Sequence, residues 1–202
     1  MKKSVIDPDE LDADQLEKEL ARLRRGEKYR HKLLSTAGIL VTIAAAAVLM
    51  ATFVFPVIRI TGSSMTPSFD PGQIVVGLKG GRVSPEDVIA FYCNNKMLIK
   101  RVIAGPGQWV NVRDDGSVYV DDVELEEPYV SELAAGGTDI DYPCQVPEGR
   151  YFVMGDHRAD SVDSRNAAVG FVSREQIAGK IVLRVWPLHQ FGSVTSHTGR
   201  AR

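Results

Sequence analysis

One stretch of this 202-residue chain, Leu33 to Ile58, contains no charged residue, and it limits what the rest can fold into. Its 26 residues, LLSTAGILVTIAAAAVLMATFVFPVI, would reach roughly 39 Å as a helix, against a hydrocarbon core of about 30 Å. Pro56 marks where such a helix ends or bends. A removable export signal would have an apolar core of about 7–15 residues near the N-terminus. Here 32 residues come first. A core helix in a small soluble domain rarely runs this far without charge. The stretch therefore reads as an uncleaved membrane anchor.

The flanks orient it. Arg22, Arg24, Arg25, Lys28, Arg30 and Lys32 crowd the N-terminal side, opposed only by Glu27, whereas after Arg59 the next basic residue is Lys79. Positive flanks stay in the cytoplasm, so residues 1–32 are expected inside and the chain beyond residue 58 outside. The leader can be written as a polar helix started at Asp7-Pro8, with Leu16, Leu20 and Leu23 on one face. A solvated, partly disordered arm is the reading preferred here. The net charge of −2 gives no reason to expect a nucleic-acid partner.

Residues 59–190 are expected to form the extracytoplasmic domain, followed by a polar, loose tail over 191–202. Short apolar runs fill the domain: Gln73–Leu78, Asp87–Tyr92, Met97–Ile103, Tyr151–Met154 and Ile181–Trp186. Trp109–Val112 and Val118–Val120 flank Asp114-Asp115-Gly116, a hairpin signal. The fold class is therefore mainly β and compact. Ser173–Ile177 reads as a capped turn. Cys93 and Cys144 lie where a disulfide is permitted, but the sequence leaves pairing open and their spacing fits no metal motif.

Ser64, in Thr61-Gly62-Ser63-Ser64-Met65-Thr66-Pro67, would by itself be a turn residue. Its position directly after the anchor makes it a candidate nucleophile. Lys100 alternates onto one strand face with Leu98 and Val102, so it can point into apolar surroundings. Burial disfavours the ammonium form and lowers a lysine pKa. A neutral lysine can take the proton from a serine hydroxyl, otherwise a poor nucleophile. The polar segment Gly155–Arg165 could supply a hydroxyl to orient that lysine, framed by Asp and Arg side chains.

These segments, in order, resemble the boxes of bacterial type I signal peptidases (leader peptidases, the S26 serine peptidase family) in their Gram-positive-like single-anchor form. Gly62–Pro67 resembles the nucleophile box, Lys100–Gly107 the lysine box and Gly155–Arg165 the Gly-Asp-Asn-Arg…Ser-x-Asp-Ser-Arg box. Gly170-Phe171-Val172 with Ile177–Lys180 resembles the closing segment. The resemblance implies a signal-peptidase-type β domain with Ser64 as nucleophile and Lys100 as general base. Ser161 would orient Lys100, Asp163 and Arg165 would brace the loop, and the Ser64 N–H would form part of an oxyanion hole. Ile60, Met65 and Ile99 would line shallow pockets for small residues. Two positions depart from the pattern. Gly62 stands where some members carry a serine donor, and His157 stands where asparagine is usual. The histidine raises a Ser–His alternative, oriented by Asp160 or Asp163.

The expected protein is a single-pass serine endopeptidase of the bacterial cell membrane, its N-terminus cytoplasmic, which removes signal peptides from exported preproteins through an acyl-enzyme. Its partners would be those signal peptides, the lipid bilayer and the secretion machinery, with no cofactor and no metal. The alternative is a signal-peptidase-like factor dedicated to pilin or surface-protein assembly. A self-cleaving regulator is disfavoured, because the leader lacks a helix-turn-helix pattern.

Overall fold

The computed structural model describes residues 13–194; the proposed Asp7-Pro8 start and residues 195–202 lie outside the described residues, as do the side chains of Leu16, Leu20 and Leu23. The chain divides into two compact units, residues 1–50 and 51–202.

The first unit holds most of one long helix, α1 (Ala13–Val54). Where the sequence favoured a loose arm before the anchor, the backbone is already helical from Ala13. Lys32–Val54 is long and apolar enough to cross a membrane, and none of its most apolar window is buried. At 1.5 Å per residue those 23 residues extend roughly 35 Å. The helix stops at Val54, two residues before Pro56. Proline disfavours the helical region for the residue ahead of it. Val57 and Ile58, grouped by the sequence with the apolar stretch, instead begin a sheet.

The second unit is mainly β. In chain order its strands are β1 (Val57–Arg59), β2 (Ile74–Leu78), β3 (Val88–Cys93), β4 (Lys96–Ala104), β5 (Trp109–Val112), β6 (Val118–Val120), β7 (Val123–Glu124), β8 (Cys144–Gln145), β9 (Arg150–Met154), β10 (Val172–Ser173), β11 (Ile177–Trp186) and β12 (Gly192–Ser193). The large sheet runs β1-β2-β11-β3-β4-β9-β10, with β12 also on β11, and the small sheet runs β7-β6-β5-β8. The paired strands are antiparallel, as expected for short strands joined by tight turns. The tail expected to be loose from 191 onward contributes Gly192 and Ser193 to β12, paired with Arg184 and Leu183.

Alternation sorts the core. Val88 and Ala90 pack on one face of the large sheet with Ile58, Met65, Phe69 and Ile181, while Ile89 and Phe91 pack on the other with Val102 and Val153. The small sheet turns Val110, Val112, Val118 and Val120 toward Phe152 and Met154. The expected hairpin forms between β5 and β6, with Gly116 at φ +86°, a conformation that glycine adopts without strain. A Cβ there would also meet the Ala134 backbone at 2.4 Å. Cys93 and Cys144 are both free thiols.

Candidate active site

Ser64 sits in a tight turn. Thr66 N–H donates to Ser63 O at 3.0 Å, Phe69 N–H to Met65 O at 2.8 Å, and Met65 and Phe69 are anchored in the core. Two buried apolar side chains therefore fix the turn that carries the hydroxyl. Lys100 comes from β4. β3 pairs with that strand along residues 96–101, but β9 pairs with it only from Arg101 onward. Lys100 thus stands where the second neighbour begins, and Met97–Ile99 keep one free backbone edge.

Nζ of Lys100 lies 2.7 Å from Oγ of Ser64. Lys100 is 2% exposed, and among the described residues no carboxylate lies within ion-pair distance of it. Burial, helped by the Arg165 guanidinium, lowers its pKa from 10.5 to about 8, while Asp163 and Asp156 pull the other way. A large share of Lys100 is therefore neutral near pH 8, and as a free amine it can accept the Ser64 proton across the existing contact.

The loop after β9 closes over this pair. Gly155 N–H donates to Asp163 Oδ2 at 2.9 Å, and His157 N–H donates to Ser64 O at 3.1 Å. Gly155 makes the approach possible, because a Cβ there would lie 2.2 Å from Ser161 Oγ and 2.5 Å from Ser64 O. Arg165 donates through Nε and Nη2 to Asp163, both at 2.9 Å, and through Nη1 to the carbonyls of Ala134 and Ala135. Burial would raise the Asp163 pKa, but Arg165 and the Gly155 N–H outweigh it and hold the carboxyl below its usual range. Ser161 Oγ is buried and makes no hydrogen bond to Lys100; its hydroxyl lies on the Asp163 side, where it helps to keep that carboxyl charged.

Ile60, Met65 and Ile99 meet Ser64 around one cavity of about 250 Å³, to which Gly62, Met97 and Leu98 also contribute. The five residues expected around the chemistry, Ser64, Lys100, Ser161, Asp163 and Arg165, fall in the turn, β4 and the closing loop that meet here. The Ser64 N–H makes no hydrogen bond with any described group. The His157 imidazole makes none to Ser64; its Nδ1 faces Asp160 Oδ2 at 3.5 Å.

Sequence reasoning missed an outer ring of ion pairs. Arg101 donates to Asp156 at 2.9 and 2.6 Å and lies 3.9 Å from the centre of the Tyr129 ring. Arg158 is paired with Glu127 and donates through Nε to Gly155 O at 3.1 Å. Asp156 and Arg158 lay inside a recognised box. Glu127 and Tyr129 carry no local signal, and only the fold brings them in.

A β domain that holds a serine hydroxyl against a desolvated, unpaired lysine beside an apolar cavity has the arrangement of a serine hydrolase. Comparison with known proteins narrows the class. Residues 33–186 match the family model described as "Signal peptidase, peptidase S26". Signal peptidase IB of Staphylococcus aureus (strain COL) is 33% identical over 175 residues, which span 75% of this chain and 90% of that protein. Signal peptidase I of Bacillus licheniformis is 30% identical over 174 residues, spanning 80% of this chain and 92% of the relative. A crystal structure of a signal peptidase I from Enterococcus faecalis V583 is 32% identical and covers 50% of this chain and 97% of its own, with a TM-score of 0.41. The chain belongs to the signal peptidase family, peptidase S26.

Proposed function

We propose that Ser64 is the nucleophile and Lys100 the general base of a serine endopeptidase that removes signal peptides. The observation that carries this reading is the 2.7 Å contact between a serine and a buried lysine that lacks a carboxylate partner. Neutral Lys100 takes the hydroxyl proton as Ser64 Oγ adds to the scissile carbonyl. The protonated lysine then delivers that proton to the departing amine, leaving an acyl-enzyme. In the second half Lys100 deprotonates the attacking water, which releases the signal peptide's new carboxylate. The unengaged Ser64 N–H is suited to stabilise the oxyanion as it develops.

The remaining assignments follow from position. Ser161 is the buried hydroxyl that orients Lys100 as the lysine changes charge. Asp163 and Arg165 hold the loop that carries it. Ile60, Met65 and Ile99 form the shallow pocket for small residues before the cut. The free edge at Met97–Ile99 suits an extended peptide added as a strand.

The apolar helix serves as a single membrane anchor, with the N-terminus cytoplasmic by its flanking positive charge and the β domain outside. Substrate and enzyme then share one bilayer, which raises their effective concentration. The domain boundaries proposed are the cytoplasmic arm, the anchor, the β domain and a short polar tail.

The test is cleavage of a model preprotein bearing an Ala-x-Ala site by the detergent-solubilised protein, by Ser64→Ala and by Lys100→Ala. Cleavage after the last alanine by the wild type alone supports the reading. Equal cleavage by Lys100→Ala moves the base elsewhere. No cleavage by the wild type favours a factor dedicated to other substrates.

A further inference from the structure

A second cavity, of about 390 Å³, is lined by Ser68, Phe69, Arg101, Tyr129, Arg184 and Gln190 among others. Its two arginines differ. Arg101 is neutralised by Asp156. Arg184, half-buried on β11, has no carboxylate within ion-pair distance among the described residues. Its Nη2 donates to Ser68 O at 2.6 Å, its Nη1 to Gln190 Oε1 at 3.0 Å, and its guanidinium lies 4.9 Å from the centre of the Phe69 ring. Guanidinium has five N–H donors in a fork that matches a carboxylate. Arg184 spends those two on neutral acceptors, and its Nε is buried without a partner. A cation held this way on the wall of a cavity attracts an anion.

The position of the cavity suggests which anion. The apolar cavity is lined by residues of 58–65 and 97–99, the cationic one by residues 67–69 and Arg101. Lys100 lies at the division in one segment; in the other, Ser64 is on the wall of the apolar cavity, three residues before the cationic lining begins at Pro67. A peptide whose residues before the cut fill the apolar cavity would, on crossing Ser64, run toward the cationic one. An extended chain advances about 3.3 Å per residue, and Arg184 holds the carbonyl of Ser68, four residues beyond Ser64, so the residues shortly after the cut are the ones to test.

We infer that the Arg184 cavity is a subsite for an acidic side chain on the released side of the substrate, so that the enzyme favours Asp or Glu shortly after the cleavage point. This rests on the peptidase reading above. The experiment uses the full-length protein in detergent and preproteins differing only at the second and third residues after the cut, carrying Asp, Asn or Lys. Wild type should cleave the Asp substrate about tenfold better in kcat/KM than the Lys substrate, the size of a hydrogen bond to a charged group. Added salt should shrink that ratio. Arg184→Glu should invert the order, and Arg184→Gln should flatten it. Cleavage with the same Asp-to-Lys ratio in all three proteins overturns the subsite and leaves the peptidase reading standing. Absence of any wild-type cleavage overturns both. Should Arg184→Glu not fold, a wild-type ratio near one is enough to overturn the subsite. If the Arg184 variants instead lose a response to vesicles of anionic phospholipid with the substrate ratio unchanged, the cavity takes a lipid headgroup and the inference fails.

Discussion

Lys100 and Arg165 are both cations buried to within 2% of full occlusion, and they are held in opposite ways. Arg165 is matched by a carboxylate through two side-chain hydrogen bonds and donates to four further carbonyls. Among the described residues Lys100 makes one hydrogen bond, to a neutral hydroxyl. Burying a charge is expensive unless it is paired and hydrogen-bonded. The Arg165 region meets that cost and is a brace. The Lys100 region leaves it unmet, and the lysine answers by giving up its proton more readily. Within one small domain, pairing marks what holds the site and its absence marks the lysine proposed to react.

The largest effect should come from removing the reactive cation. Lys100→Met should cut kcat/KM by at least about 10³-fold while leaving thermal stability unchanged or raised, because an apolar isostere replaces an unpaired buried charge. A stability loss of several kcal/mol would break the contrast with Arg165. Next, Asp163→Asn should destabilise the domain by about 3–5 kcal/mol, since it strands the Arg165 charge in the interior. Chemical denaturation would show it, and a loss below about 1 kcal/mol would mean the brace is not needed.

Gly155→Ala joins the two regions. Its methyl would collide with Ser161 Oγ and with the Ser64 backbone, so stability and kcat should fall together. A fall in only one would show that the loop can move without disturbing the nucleophile. The smallest effect expected is from Ser161→Ala, about 10- to 100-fold in kcat, with stability largely maintained because the buried hydroxyl has no partner of good hydrogen-bond geometry. A loss of stability with normal kcat would assign Ser161 to the brace.

Stability should also carry the mark of Lys100. Its pKa is lower folded than unfolded, so the unfolded chain binds more protons between about pH 8 and 10.5. The burden of a buried charge is then fully present below about pH 8 and is lifted as pH rises toward 10.5, roughly 3 kcal/mol in all. Lys100→Met should remove that slope.

The pair proposed to react was legible in the sequence because Ser64 and Lys100 sit in local motifs, and because Lys100 alternates with Leu98 and Val102, which pack in one apolar cluster. The seven expected strands all form, with ends differing by a few residues. β1 lay hidden in the apolar stretch, and β7, β8, β10 and β12 have two residues each, too few to show a period. Pairing partners alone define them. The same holds for Glu127 and Tyr129, whose roles arise from contacts about 30 residues away in sequence. Arg184 is likewise silent in sequence, since a missing partner is visible only in three dimensions.

The most direct test of the central claim is the pH profile of kcat/KM for a preprotein substrate. A neutral, desolvated lysine base predicts activity that rises with pH along a limb centred near 8 and is lost as the pH falls below it. That limb should persist in His157→Asn. A limb that disappears in His157→Asn would contradict the account and make the histidine the base.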